Sequence, residues 1–459
     1  MNVQLLSREG GSAPGAELRR TCNTKYLHAI QPSDTRFEQR SLQNLEASID
    51  AARGGEGPES KASIVHHGGV TSITIDRFEG RYLLSGGADS SISLWDLETA
   101  EFSSTHTTHR PLGSVRKSPS SHSHGITQLS FYPFDSLAFL SSSYDHSVKI
   151  WDSDTLKSSA SFNLESVIYS HAVSPIASHL LVACATQHPA VRLVDLRSGS
   201  SSHALAGHAG PVLTVAWSPK DEHVLASGGT DGAIRFWDVR RSAGFMAAFD
   251  KEDSVGVVGY DGGGSGARRR ERGTAHVGTV NGIVWTEDGR HMVSTGHDER
   301  LRIWNTTTGA NTLANFGPVI KNKNFSRLLP CIAPSYLVSS GKDMLFFPCE
   351  REILVYEMFE GKLMKRLRTP GVPIGNTSSD TRAGLKHRVV DLAWRSHSVE
   401  LYSAHGDGSI RAWKPRTSED AALDEEERQE VEAEEIDRKR KRQVLEDVYH
   451  DLAKKRMIF

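Results

Sequence analysis

Cysteine is scarce in this chain, and its scarcity excludes two ways of building a fold. The four cysteines, Cys22, Cys184, Cys331 and Cys349, stand far apart among 459 residues and form no CxxC pair. That spacing excludes a zinc ribbon and a disulfide framework, and it fits a reducing compartment. Long apolar runs are missing too. No stretch approaches the ~18 apolar residues of a membrane span, and the N-terminal MNVQLLSREGG lacks the apolar core of a secretory signal. Charge of one sign is also missing: the net value is −2, so the chain offers no basic field to hold nucleic acid. A soluble, intracellular protein is expected, and hydrophobic residues at 37% suffice for a large core.

What is present is a repeat. The runs SISLWD, SVKIWD, AIRFWD, RLRIWN and SIRAWK place Trp95, Trp151, Trp237, Trp304 and Trp413 at the ends of apolar strands. Six residues before each stands an aspartate (Asp89, Asp145, Asp231, Asp298, Asp407), and four before that a serine (Ser85, Ser141, Ser227, Ser294, Ser403). Some 20 to 23 residues before each aspartate stands a histidine: His67, His124, His208, His276 and His387. Runs such as VLTVAWS and VNGIVWT alternate with period 2, which marks strands packed on one face. A buried indole N–H can only donate, and a serine hydroxyl can accept from it. Histidine can bond the serine, and aspartate can orient the histidine. His208, Ser227, Asp231 and Trp237 are therefore expected to form a structural relay, repeated from blade to blade. A catalytic Ser/His/Asp triad has no reason to recur in this way.

Two weaker units carry Val194 and Tyr356 in the tryptophan position, which brings the count to seven. The expectation is an all-β fold, a seven-bladed WD-repeat β-propeller spanning residues 61–415. After Trp413 the chain offers no outer strand, so residues 61–65 (KASIV) are expected to complete the last blade. Residues 1–60 form a helical N-terminal arm that binds a partner, and 416–459 a charged helical tail. Segments 101–123 and 251–272 are expected to be mobile insertions, the second holding Arg268, Arg269, Arg270 and Arg272. In the tail, Val444, Leu445, Val448, Tyr449 and Leu452 make one amphipathic stripe. The run from Arg438 to Arg442 reads as a nuclear-import signal, so the expected location is the nucleus.

The fourth blade ends Trp237-Asp238-Val239-Arg240, and the third ends with Arg197 in the equivalent place. Arginine is a rigid donor fork favoured at interfaces. Blades ending WDxR resemble those of substrate receptors that dock on the triple-propeller damaged-DNA-binding adaptor of cullin-RING ubiquitin ligases. A closer resemblance covers roughly residues 2–413. It includes YLLSGGADSSISLWDLE, YPFDSLAFLSSSYDHSVKIWDSDTL, FNLESVIYSHAVSP, HVGTVNGIVWTEDGRHMVSTGHDERLRIWNTTTGANTLANFG and LLSREGGSAPGAELRR. In these the chain resembles the Cockayne syndrome group A family.

That resemblance implies a substrate-recognition subunit of a cullin-RING ligase in transcription-coupled nucleotide excision repair, working with stalled-transcription repair factors. It implies adaptor binding through the arm, at Leu5, Leu6, Leu18, Arg19 and Arg20, together with Arg197, Asp238 and Arg240. The substrate is expected on the opposite face, with Tyr144 and His297 as contacts. No cofactor, metal, membrane or direct nucleic-acid partner is expected, and no enzymatic step. The competing reading is a general WD-repeat scaffold in a chromatin or RNA assembly. An enzyme using the central pocket lacks a catalytic constellation.

Overall fold

The alternating runs become strands, and turn chemistry sets their pairing. In the computed structural model, residues 15–38, 65–102, 106–199, 201–241, 245–251, 273–338, 342–368 and 387–416 are described. In the fourth repeat, Val212–Trp217, Val224–Gly229 and Ile234–Asp238 pair antiparallel, with Leu225 opposite Trp237 and Ser227 opposite Arg235. The hairpin between the last two turns on Thr230-Asp231-Gly232. Gly232 has φ +74°, and a Cβ there would press on the His276 carbonyl 2.5 Å away, so only glycine fits without strain.

Seven such sheets make a seven-bladed β-propeller. Blade 1 holds Val70–Ile75, Tyr82–Gly87, Ile92–Asp96 and Pro111–Val115. Blade 2 holds Ile126–Tyr132, Asp135–Ser143, Ser147–Asp152 and Ser158–Asn163, and blade 3 holds Ile168–Val173, Leu181–Thr186, Ala190–Asp195 and Ser201–Ala206. Blade 4 adds Ala247–Ala248 as its outer strand. Blade 5 has three strands, Val280–Trp285, His291–Gly296 and Arg300–Asn305. Blade 6 holds Cys331–Ile332, Met344–Cys349, Glu352–Glu357 and Lys362–Arg368, and blade 7 is built on Val389–Trp394, Leu401–His405 and Ile410–Pro415.

The core lies between blades rather than within them. Each third-strand anchor packs on the preceding blade: Trp95 with Tyr402 and Ala412, Trp151 with Leu84, Val194 with Val148, Trp237 with Val191. The series continues with Trp304 on Ile234, Tyr356 on Ile303 and Trp413 on Val355, which closes the ring. All five tryptophans and Tyr356 are fully buried.

Closure differs from the expectation. The outer strand of blade 7 is β1 (Ile30–Pro32), not residues 61–65. It follows helix α1 (Gly15–His28), whose Leu27 joins Ile30 in one apolar cluster with Leu337, Leu367 and Trp413. Lys365 ties the junction by donating to the carbonyls of His28 and Ile30, at 3.1 and 2.7 Å. Next, β2 (Thr35–Phe37) pairs in parallel with Thr107–His109 beside blade 1. Phe37 there lies edge-on to Trp95 and Tyr402 and stacked on His109, 5.1 Å away. One short N-terminal segment thus clasps blades 7 and 1, and the propeller begins near residue 30 rather than 61. Of 61–65 only Val65 is described: it is buried, and its N–H donates to the Gly408 carbonyl at 2.8 Å.

The 101–123 segment is also not a free insertion. It supplies the outer strand of blade 1, Pro111–Val115, and the strand that holds β2. Residues 252–272 and the tail from 417 onward lie outside the described residues, as do the import run and the tail stripe.

Candidate functional site

The relay forms in blade 4 from the four expected residues. Trp237 Nε1–H donates to Ser227 Oγ at 2.7 Å, and Ser227 lies 2.8 Å from His208 Nε2. His208 Nδ1 lies 3.0 Å from Asp231 Oδ1. A single tautomer satisfies every atom: serine donates to Nε2, and Nδ1–H donates to the carboxylate. Burial opposes charge on Asp231, but bonds from His208 and the Ala209 N–H hold its carboxyl well below the usual range. The same chain recurs as His276–Ser294–Trp304 with Asp298 in blade 5. The relay serines Ser85, Ser141, Ser227, Ser294 and Ser403 are wholly buried, so none can meet a substrate. Their role is structural.

Three relay histidines differ from expectation. In blade 1 it is His66, not His67: its Nε2 is 2.8 Å from Ser85 Oγ, while the His67 backbone N–H donates to Asp89. In blade 2 it is His122, not His124, at 2.6 Å from Ser141 and 2.8 Å from Asp145. In blades 1, 2, 4 and 5 the relay histidine stands four residues before the first strand, as His66 does before Val70 and His122 before Ile126. In blade 7, His405 bonds Ser403 at 2.8 Å, and His387 is displaced to the surface, 3.5 Å from Asp407. The reason is steric. Blades 1, 4 and 5 have glycine two residues after the serine, and a Cβ on Gly87 or Gly229 would lie 2.7 Å from the relay imidazole. Blade 7 has His405 at that position, and its ring fills the relay space.

Blades 3 and 6 have no relay. Cys184 stands opposite the third strand where serine would be, and burial pushes its thiol up to about 12. In blade 6 Phe347 takes the serine position, opposite Leu354 of the third strand. Arg327, just ahead of the first strand of that blade, reaches Asp391 of blade 7 at 3.2 Å, with both side chains nearly buried. Among the described residues no group of His, Cys, Asp or Glu is arranged to hold a metal.

The two faces of the ring differ. Strand order puts the relay turns on one face and the turns after first and third strands on the other. On that second face Arg240 donates from Nε and Nη2 to Asp238 at 3.0 and 2.9 Å, and among the described residues Nη1 has no hydrogen-bond partner. These bonds hold the Asp238 carboxyl down at about 2. Arg197 is exposed, its N–H bonded to Asp195. Helix α1 carries Leu18 and Arg19 in its backbone, though their side chains lie outside the described residues, as do Leu5 and Leu6 entirely; Arg20 is exposed. The Thr24 hydroxyl meets the Leu337 carbonyl in a turn of this same face. The arm therefore docks on blades 6 and 7, whereas Arg197 and Arg240 sit on blades 3 and 4. They share a face but do not form one cluster.

Sequence reading missed the apolar part of that face. Phe78, Phe134, Ile176 and Tyr336 occupy the first turns of blades 1, 2, 3 and 6 and are 40–49% exposed. Tyr26 on α1 is 44% exposed. These residues stand in turns outside the repeat spacing, where an apolar side chain reads as a strand end. On the relay-turn face, Tyr144 is exposed as expected. His297 is not a free contact: its Nε2 bonds the Asn324 carbonyl at 2.8 Å, and its ring meets Phe325, which is 65% exposed and takes the outward place.

Comparison with known proteins agrees with this architecture. The family described as WD domain, G-beta repeat matches residues 59–96, 113–152, 199–238 and 269–305. These matches cover blades 1, 2, 4 and 5, the three relay-poor or rearranged units being unmatched. The WD repeat-containing protein ATCSA-1 of Arabidopsis thaliana is 31% identical over 423 residues, covering 79% of this chain and 89% of that protein. Radiation-sensitive protein 28 of Saccharomyces cerevisiae is 27% identical over 55% of this chain and 53% of its own length. The ribosome biogenesis protein ytm1 of Neurospora crassa is 26% identical over 62% of this chain and 64% of its own.

Proposed function

The chain belongs to the WD-repeat protein family, and from that premise we propose that it is a nuclear substrate-recognition subunit of a cullin-RING ubiquitin ligase acting in transcription-coupled nucleotide excision repair. The observation that carries this reading is the division of the propeller's faces. One face gathers the arm helix, exposed Tyr26, the rim of Asp238 with Arg240, and a set of exposed aromatics. Aromatics with arginine are the composition of a protein interface. The resemblance to the Cockayne syndrome group A family supports the ligase adaptor as the partner there. Near-full-length similarity to ATCSA-1 supports it too, because it extends beyond the blades the repeat description matches. The opposite face, with Tyr144 and Phe325 exposed, is left for substrate or repair factors.

A second reading is favoured by the ribosome biogenesis relatives, which share the propeller at lower identity. It makes the chain a scaffold in a nuclear RNA or chromatin assembly with no ligase attached. Affinity purification from UV-treated nuclei, followed by mass spectrometry, separates the two. The ligase reading expects the damaged-DNA-binding adaptor and cullin in the eluate. Pre-ribosomal proteins without the adaptor would overturn it.

A further inference from the structure

Superposing the blades by sequence exposes one position where the propeller has left a charge unanswered. Two residues before each third-strand anchor stand Ser93, Lys149, Arg192, Arg235, Arg302, Leu354 and Arg411, in blade order. In blades 4, 5 and 7 the arginine meets a carboxylate four residues earlier in its own blade. Arg235 lies 2.9 Å from Asp231, Arg302 lies 2.7 Å from Asp298, and Arg411 lies 2.9 Å from Asp407. The lysine of blade 2 donates to the Ser120 carbonyl at 3.0 Å.

Blade 3 breaks the pattern. The residue four before Arg192 is His188, in a turn where Gln187, His188 and Pro189 are all exposed. Arg192 is half-buried, and among the described residues its side chain has no hydrogen bond or ion pair. Its Nε is sealed from solvent with no acceptor among the described residues, as is that of Arg235, but Arg235 has the Asp231 ion pair that Arg192 lacks. Glu165, just ahead of the first strand of blade 3, is exposed and forms no ion pair with it. Alternation along the strand puts Arg192 on the same side as Val194, which packs with Leu140 and Val148 of blade 2. The guanidinium therefore sits at the junction of blades 2 and 3, toward the relay-turn end. A half-desolvated cation without a counter-charge is costly, and a planar fork is matched by a carboxylate.

We propose that Arg192 is a receptor for an acidic peptide. An aspartate or glutamate of a partner protein supplies in trans the carboxylate that Asp231, Asp298 and Asp407 supply in cis. The three sister blades are the template for the geometry, and charge complementarity fixes the occupant. Tyr144, exposed on the turn of the adjacent blade, gives the same face an aromatic surface for the peptide's neighbouring residues. This site lies on the face opposite the proposed adaptor surface, so it stands or falls independently of the ligase reading.

The test uses the full chain and three fluorescein-labelled peptides of equal length: hexaglutamate, hexaglutamine, and a glutamine peptide with one phosphoserine. Fluorescence anisotropy at low salt is expected to show hexaglutamate bound in clear preference to hexaglutamine. Arg192→Met should weaken hexaglutamate binding at least tenfold. His188→Asp should weaken it as much, because it installs the sister blades' own carboxylate. The same His188→Asp variant should melt at a higher temperature than the parent, and the rise should vanish when Arg192→Met is added. That coupling reads the geometry even if Arg192→Met alone folds poorly. Unaltered hexaglutamate binding in both variants, equal binding of hexaglutamine, or a melting shift indifferent to Arg192 would each overturn the proposal. Tighter Arg192-dependent binding of the phosphoserine peptide than of hexaglutamate would assign the site to phosphate and overturn it as well.

Discussion

Blade 4 and blade 3 are neighbours with the same strand order and nearly the same length, yet they are held by different chemistry. In blade 4 four polar side chains form one chain of hydrogen bonds from Trp237 to Asp231. In blade 3 the serine and tryptophan positions are Cys184 and Val194, both buried in apolar surroundings. Its polar group has moved to the first strand, where His171 is held between Ser130 at 2.7 Å and Ser142 at 2.8 Å of blade 2. Blade 6 makes a third variant, with Phe347 and Tyr356 inside and Arg327 turned to Asp391. What a blade requires is a filled wedge, and the relay is one way to fill it with its polar groups paired. Where the relay is lost, charged residues are released to other partners: Arg327 to a neighbouring blade, Arg192 to a partner outside the chain.

The comparison breaks most completely at closure. Blade 7 has its own Ser403–Trp413 bond but lacks an outer strand of its own. Deleting residues 1–38 should abolish cooperative folding, while deleting 1–14 should leave the melting temperature unchanged. Phe37→Ala alone should cost about 3–5 kcal/mol in urea denaturation, since it removes a fully buried ring from between Trp95 and Tyr402. A 1–38 deletion that melts like the parent would reject the clasp.

The relay-free blades should be as sensitive as the relay blades. Asp391→Ala leaves the Arg327 guanidinium buried without its counter-charge and should cost about 3–5 kcal/mol. Ser227→Ala leaves the Trp237 N–H without an acceptor and should cost about 1–3 kcal/mol. If Ser227→Ala proves the more damaging, the relay dominates after all.

Acid should separate the blades further. Burial holds the His171 imidazole down at about 3, against ~6.5 for an unfolded histidine. A depressed folded pKa contributes stability above the unfolded value and loses it as pH falls. The melting temperature should therefore be flat above about pH 6.5 and decline from there toward pH 3. His171→Gln, which keeps a polar side chain without a titrating one, should flatten that decline. The depressed carboxyl of Asp231 acts only at lower pH, below its unfolded value near ~4. An unchanged pH profile in His171→Gln would show that other groups set the acid limb.

The smallest stability effect belongs to the rim. Arg240 is 65% exposed and its pair with Asp238 is screened by solvent. Arg240→Ala should leave the melting temperature within measurement error.

Much of this was legible in the sequence for a physical reason: buried donors and acceptors must be paired at fixed spacing, so Asp231, Ser227 and Trp237 announce their blade. The choice between His66 and His67 was less legible, because their spacings to Asp89, 23 and 22 residues, both occur among the relay histidines, and the His67 N–H donates to that same aspartate. His405 could have been found from the Ser-Ala-His run, where blades 1, 4 and 5 keep glycine and blade 2 a small serine. The closing strand was not legible. Ile30–Pro32 is three residues long, too short for periodicity, and its identity depends on Leu337, Trp413 and Lys365 meeting it across more than 300 residues of chain. The same holds for the apolar part of the second face, whose exposed residues Phe78, Phe134, Ile176 and Tyr336 come from four separate turns.

The most direct test of the two-faced account is calorimetry of the full chain against purified damaged-DNA-binding adaptor. Arg240→Ala and Tyr26→Ala, changes on exposed residues of one face, should each weaken binding at least tenfold without shifting the melting temperature. Tyr144→Ala on the other face should bind as the parent does. Equal affinity across all three variants, or weakening by Tyr144→Ala alone, would contradict the account and leave the ligase-free scaffold as the better reading.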